Sequence, residues 1–105
     1  MFALFGKLTA TSGQRDELLE ILLDAADIVA GVDGARLYLV NVAADDPDGV
    51  FVYEVWDSAE AHRASLEVEA VRGAISRAMP LVVGPPSGQL TLTPVGGLGM
   101  PEPEG

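Results

Sequence analysis

The chain has 105 residues, a length that builds one domain with a modest core and excludes two. Its formal net charge of −10 argues against nucleic acids and anionic membranes as partners, because both attract clustered Lys and Arg. The lack of cysteine excludes disulfides and thiolate catalysis, and a hydrophobic content of 49% predicts an oligomer interface or a ligand cavity. The longest apolar region is interrupted by acidic residues, so no membrane span is predicted. The N-terminus lacks the pattern of a signal peptide, and we expect a cytoplasmic protein.

A strand and an amphipathic helix open the chain. Phe2–Thr9 alternates as a strand, and the spacing of Thr11 and Gln14 is that of a capping box, which predicts a helix start. Gly31 and Gly34 indicate the end of this helix. One stripe at helical spacing is apolar and predicts a core face: Leu18, Ile21, Leu22, Ala25, Ile28 and Val29. A second stripe is acidic and predicts a solvated face: Glu17, Glu20, Asp24 and Asp27.

The middle of the chain predicts a β-hairpin. Ala35–Val42 and Val50–Trp56 alternate as strands. Asp46–Gly49 has the sequence Asp-Pro-Asp-Gly, which is typical of the turn between two such strands. Asp57 is the expected cap of the next helix, with Glu60 three residues later as its partner.

The last third predicts a broken helix and a final strand. An apolar stripe from Ala64 to Val82 is helical in spacing, and Ser65–Glu67 marks a break into two shorter helices. Gln89–Val95 alternates as a strand that Pro94 ends or places at a sheet edge. We therefore expect a domain over residues 1–95 and a flexible C-terminal tail over residues 96–105.

The predicted order β-α-β-β-α-β is the ferredoxin-like arrangement of the α+β class. It places a four-stranded antiparallel sheet under helices that cover only one face. The other face also carries apolar residues, and a second copy of the chain is the simplest cover, so we expect a homodimer.

An aromatic residue, a carboxylate and an imidazole come together where the third strand meets the next helix. Glu54 and Trp56 share one sheet face, and the only histidine, His62, follows on the helix. Trp56 either lines a pocket or fills the core, and His62 is either a general base or a surface residue. Glu54 is paired, faces solvent, or is held in a cavity. Further candidates for hydrogen bonds to a substrate, with core packing as the alternative, are Tyr38, Tyr53 and Asn41.

Several catalytic motifs are absent from the sequence. It has no phosphate-binding loop, nucleophile elbow or dinucleotide fingerprint, and one histidine without a second at ligand spacing predicts no metal site. An oxidative enzyme of this sequence would therefore be expected to work without an organic cofactor.

The chain resembles the antibiotic biosynthesis monooxygenase family, including its quinol-monooxygenase members, over nearly its whole length. The likeness lies in the opening strand with Leu8–Arg15, the third strand Phe51–Asp57, the helical segments Ala61–Leu66 and Val71–Leu81, and Thr93–Gly97. The resemblance implies a dimeric α+β barrel that oxygenates a small aromatic, quinol or polyketide-like substrate with O2.

Within the resemblance, Trp56 matches the family's pocket tryptophan and Glu54 its strand carboxylate, with His62 as the candidate base. Heme-degrading relatives place a histidine where this chain has Leu66, and an asparagine on the first strand, where this chain has none. Heme degradation is therefore not expected. A dimeric barrel that binds a small hydrophobic ligand or a partner without catalysis remains the alternative function.

Overall fold

The computed structural model describes residues 1–99 and shows a four-stranded antiparallel sheet with helices packed on one face. The strand order β2-β3-β1-β4 confirms the predicted ferredoxin-like α+β fold. Among residues 1–99, no helix is long and apolar enough to cross a membrane. The elements are β1 (Phe2–Thr9), α1 (Arg15–Val29), β2 (Ala35–Ala43), β3 (Asp46–Trp56), α2 (Ala59–Ser65), α3 (Glu69–Ala78), a 3-10 turn (Met79–Leu81) and β4 (Ser87–Leu92).

The core lies between α1, α3 and the inner face of the sheet, which we define as the face that the helices cover. Leu18 and Leu22 of α1 pack with Val50 and Val52 of β3, and Ala78 of α3 closes the cluster. Leu18 and Val50 have no solvent exposure. The predicted apolar stripe of α1 is thus confirmed, and its four acidic residues lie exposed on the opposite side.

Both predicted helix caps are wrong. The Thr11 hydroxyl donates to the carbonyl of Leu81 at 3.3 Å, and α1 begins at Arg15 without a side-chain cap. At α2 the cap is Ser58, whose hydroxyl accepts from the amide of Ala61 at 3.0 Å. Asp57 is unavailable as a cap because its carboxylate pairs with the Arg36 guanidinium at 2.5 Å.

The predicted hairpin forms, but its turn lies elsewhere. Ala44 and Asp45 make the turn, while Asp46–Gly49 belongs to β3. This segment gains partners on β1, since Thr9 lies opposite Gly49 and the Ala10 amide donates to the carbonyl of Asp48 at 2.8 Å. Ladder hydrogen bonds to a neighbouring strand therefore override the local turn preference.

The helix break is confirmed, because α2 ends at Ser65 and α3 begins at Glu69. The last strand occupies Ser87–Leu92 instead of Gln89–Val95, and it lies exposed at the sheet edge beside β1. Pro94 follows it, consistent with the expected end. Most of the predicted tail, residues 100–105, lies outside the described residues.

Candidate functional site

A cavity of about 500 Å³ lies between the inner face of the sheet and the helices. The sheet contributes Tyr38, Glu54 and Trp56, and α2 contributes His62 and Ser65. Aliphatic side chains of α1 and α3 form most of the remaining wall, and Pro85 and Pro86 border it just before β4. The volume is within the range of about 300–1,000 Å³ that small-molecule sites occupy.

Glu54 is held by its neighbour on the same face of β3. The Trp56 indole N–H donates to Oε1 of Glu54 at 3.0 Å, and Trp56 itself is 1% exposed. Side chains two apart on a strand point the same way, which is why the predicted pair meets. The other carboxylate oxygen, Oε2, accepts no hydrogen bond from residues 1–99 and is not sealed from solvent. It is an unoccupied acceptor at the cavity wall.

His62 faces the same carboxylate from α2. Its Nε2 lies 4.0 Å from Oε1 of Glu54, too long for a hydrogen bond but close enough for an ion pair when the imidazole is protonated. The ring lies beside Phe2 and Trp56, with both centroids 5.7 Å from its own. The Ser65 hydroxyl donates to the carbonyl of His62 at 2.5 Å and is nearly fully buried.

A glycine allows α2 to approach the sheet. Gly34 has a φ of +86°, which glycine adopts readily, and a Cβ there would lie 2.7 Å from the Cβ of Ala61. The Asp57 amide donates to the carbonyl of Gly34 at 2.8 Å, which fixes the chain just before the helix. The close approach and the Ser58 cap together set where His62 lies.

Tyr38 faces Glu54 across the β2–β3 ladder. Burial raises the pKa of Tyr38 to about 12, and the negative charge of Glu54 adds to the effect. Its phenol donates no hydrogen bond within the described part of the chain. Tyr38 is therefore a neutral hydrogen-bond donor at the cavity at physiological pH.

Tyr53 and Asn41 lie on the outer face, the uncovered side of the sheet. They border an open apolar depression with Phe5, Leu39 and Phe51, and the Asn41 amide donates to the carbonyl of Phe51 at 3.0 Å. The structure therefore does not bring them together with Glu54, and their role as hydrogen-bond donors to a substrate stays a prediction. The alternation of side chains along the strand could have predicted the position of Tyr53, since odd-numbered residues of β3 point away from Glu54.

Two residues beside His62 were missed from the sequence. Phe2 pairs with Trp56 across β1 and β3, and its ring contacts His62. Ser65 was interpreted only as a helix break, although its side chain lines the cavity. The alternation of side chains along β1 could have indicated the position of Phe2, whereas the position of Ser65 depends on how α2 is oriented.

Residues 1–99 hold no cluster of three or more His, Asp or Glu side chains placed to bind a metal ion.

The family model of the antibiotic biosynthesis monooxygenases matches residues 1–77. A candidate antibiotic biosynthesis monooxygenase from Chloroflexus aurantiacus is 40% identical in sequence and superposes with a TM-score of 0.84. The alignment covers 91% of this chain and 94% of the Chloroflexus chain. SnoaB from Streptomyces nogalater, a cofactor-independent oxygenase, is 15% identical with a TM-score of 0.79, covering 92% and 95% of the two chains. At this identity SnoaB supports the fold alone. No curated protein sequence matches the chain.

Proposed function

Because the chain belongs to the antibiotic biosynthesis monooxygenase family, we propose that its cavity oxygenates a small aromatic, quinol or polyketide-like substrate with O2 and no organic cofactor. One observation carries the proposal: an apolar cavity contains a carboxylate with one oxygen fixed by Trp56 and the other free. A base in an apolar site removes an acidic proton and leaves an electron-rich anion that can reduce oxygen.

The proposed reaction balances on the substrate and O2 alone. A CH2 group activated by flanking aromatic rings loses both hydrogens and becomes a ketone, which is a four-electron oxidation. O2 accepts the four electrons; one of its atoms enters the ketone and the other leaves as water. The first proton passes to the Glu54–His62 pair, which returns it to the peroxide that forms when O2 bonds to the carbon. Loss of the second C–H proton then forms the C=O bond as the O–O bond breaks, and that proton joins the departing hydroxide as water.

Four cavity side chains have individual roles in this scheme. Glu54 accepts the proton through Oε2, and His62, 4.0 Å from Oε1, stabilises the carboxylate when protonated. Trp56 holds the carboxylate in place, and Tyr38 donates to the oxygen of the substrate anion. The largely apolar wall shields the anion and its peroxide from side reactions.

A homodimer is part of the proposal. The outer face carries the exposed side chains of Leu39, Leu90 and Leu92 next to the half-buried rings of Phe5 and Phe51. Exposed apolar side chains grouped on one face often mark an interface between proteins, and a second copy would cover this face with the same residues.

Oxygen uptake tests the proposed function. Metal-stripped protein is offered anthrones, hydroquinones and catechols, as wild type, Glu54→Gln and Tyr53→Phe. We expect Glu54→Gln to lower turnover about 100-fold or more, since general-base catalysis contributes about 10²–10⁴-fold, whereas Tyr53→Phe on the outer face stays within about twofold. Uptake that is insensitive to Glu54→Gln contradicts the proposed base. Ligand binding with no uptake from any substrate would identify the non-catalytic barrel instead.

A further inference from the structure

Within residues 1–99, the cavity wall contains no basic side chain other than the imidazole of His62. The six basic residues of the chain all lie outside its wall. Lys7 pairs with Asp46, Arg36 with Asp57, and Arg63 with Glu60, so these cations are also engaged by carboxylates elsewhere. A ligand carboxylate in the cavity would find neither a guanidinium nor an ammonium group.

Glu54 makes the cavity unfavourable for anions. Its side chain is about 20% exposed, and the protein carries a formal net charge of −10. Like charges repel more strongly in a poorly hydrated apolar site than in water, because fewer water dipoles screen them. A protonated His62 does not reverse this, since its nearest carboxylate is Glu54 itself.

The free acceptor oxygen of Glu54 favours a ligand that donates a hydrogen bond. Oε2 of Glu54 is an acceptor without a partner among residues 1–99, and an ionised carboxylate can only accept. A ligand that fills the cavity covers this oxygen, and a covered acceptor left without a donor is costly, so a ligand hydroxyl that donates to it is favoured. The phenol of Tyr38, directly across the ladder, remains available to donate to a second ligand oxygen.

We propose that the cavity selects neutral aromatic compounds with a phenol or enol hydroxyl that donates to Glu54, and that Glu54 excludes analogues bearing a carboxylate. Glu54 is thus the specificity-determining residue as well as the proposed base. The inference rests on the proposed function only in taking this cavity as the substrate site. It concerns equilibrium binding, which can be measured without oxygen or turnover.

Three ligands with one ring system separate these effects. 2-Naphthol donates a hydroxyl, 6-hydroxy-2-naphthoate adds a carboxylate, and 2-methoxynaphthalene lacks the donor. Trp56 is the only tryptophan and lines the cavity, so its fluorescence reports binding there, with calorimetry as a second readout. Binding is measured anaerobically at pH 7.5 on the full chain.

We expect 2-naphthol to bind at least about 30-fold more tightly than the naphthoate and about 5-fold more tightly than the methoxy compound. Glu54→Gln should reduce the penalty on the naphthoate to within about threefold. The matched control is Glu60→Gln, which removes the same charge from a side chain 77% exposed on α2 and should leave the wild-type ratio unchanged.

Three results would overturn the proposal: equal affinity of wild type for 2-naphthol and the naphthoate, an unchanged ratio in Glu54→Gln, or no binding of any of the three compounds. The wild-type ratio decides the matter even where Glu54→Gln does not fold. Selectivity without oxygen uptake would refute the oxygenase proposal alone. Uptake without selectivity would refute this inference alone.

Discussion

The two faces of β3 differ in what covers them. Val52, Glu54 and Trp56 point inward, where the helices of the same chain bury them or enclose them in a cavity. Phe51 and Tyr53 point outward and stay half-buried beside an open depression. One strand with a period of two thus supplies the proposed chemical site on one side and the proposed association surface on the other.

The two faces show that a residue's position along a strand does not indicate its role unless the sheet face to which its side chain points is also known. Tyr53 is adjacent to Glu54 in sequence, yet their side chains lie on opposite sides of the sheet. Tyr38, sixteen positions before Glu54, is its direct partner across the ladder. Variants of the two faces should therefore separate into effects on the cavity and effects on association.

The largest expected difference is in stability. Trp56→Ala removes a fully buried ring and should lower the free energy of unfolding by about 3–5 kcal/mol, whereas Phe51→Ala on the outer face should cost about 1–2 kcal/mol. Both are measured by urea denaturation on a Leu39→Glu background, which we expect to be monomeric. Equal losses would contradict the assignment of Trp56 to the core side.

Association is the second test. Leu39→Glu places a charge in the proposed dimer interface and should weaken dimerisation by about 100-fold or more, because a charge buried without a partner costs about 3 kcal/mol or more. Leu23→Glu is the control: Leu23 is 55% exposed on α1, against 48% for Leu39. Sedimentation velocity over a concentration series measures both. A wild type that is monomeric at all concentrations, or that dimerises as well with Glu at 39, would refute the interface.

Much of the fold could be predicted because periodicity and fold agree. The alternation of β1 and the stripe of α1 placed Leu18 and Leu22 in the core, and the parity of Glu54 and Trp56 placed both on one face. These features depend on local spacing, which the sequence contains directly.

Details that depend on distant partners could not be predicted. Thr11 and Asp57 have the chemistry of helix caps, but Leu81 and Arg36 engage them instead. The Asp-Pro-Asp-Gly segment has the sequence of a turn, but pairing with β1 makes it part of a strand. The same limit applies to Ser65, whose place in the cavity wall depends on the packing of α2.

A smaller effect should separate the true cap from the apparent one. Ser58→Ala removes the acceptor of the Ala61 amide and should cost about 1 kcal/mol, while Thr11→Ala loses only one long hydrogen bond and should cost less. Because α2 carries His62 to the inner face, Ser58→Ala should also weaken 2-naphthol binding, whereas dimerisation should not change. Thermal denaturation and fluorescence titration measure these changes. Unaltered stability in Ser58→Ala would contradict the cap.

The smallest effect is spectroscopic and compares the two tyrosines directly. In a Tyr53→Phe protein, ultraviolet absorbance follows Tyr38 alone, and its pKa should be about 12 because the phenol is buried and faces Glu54. Adding Glu54→Gln should lower the midpoint but leave it above the ordinary value near 10, since burial is the larger cause. Between about pH 10 and 12 the unfolded chain loses a proton that the folded chain keeps, so the contribution of Tyr38 to stability falls as pH rises. A midpoint near 10 in folded protein would mean that the Tyr38 phenol is open to water and not buried at the cavity wall.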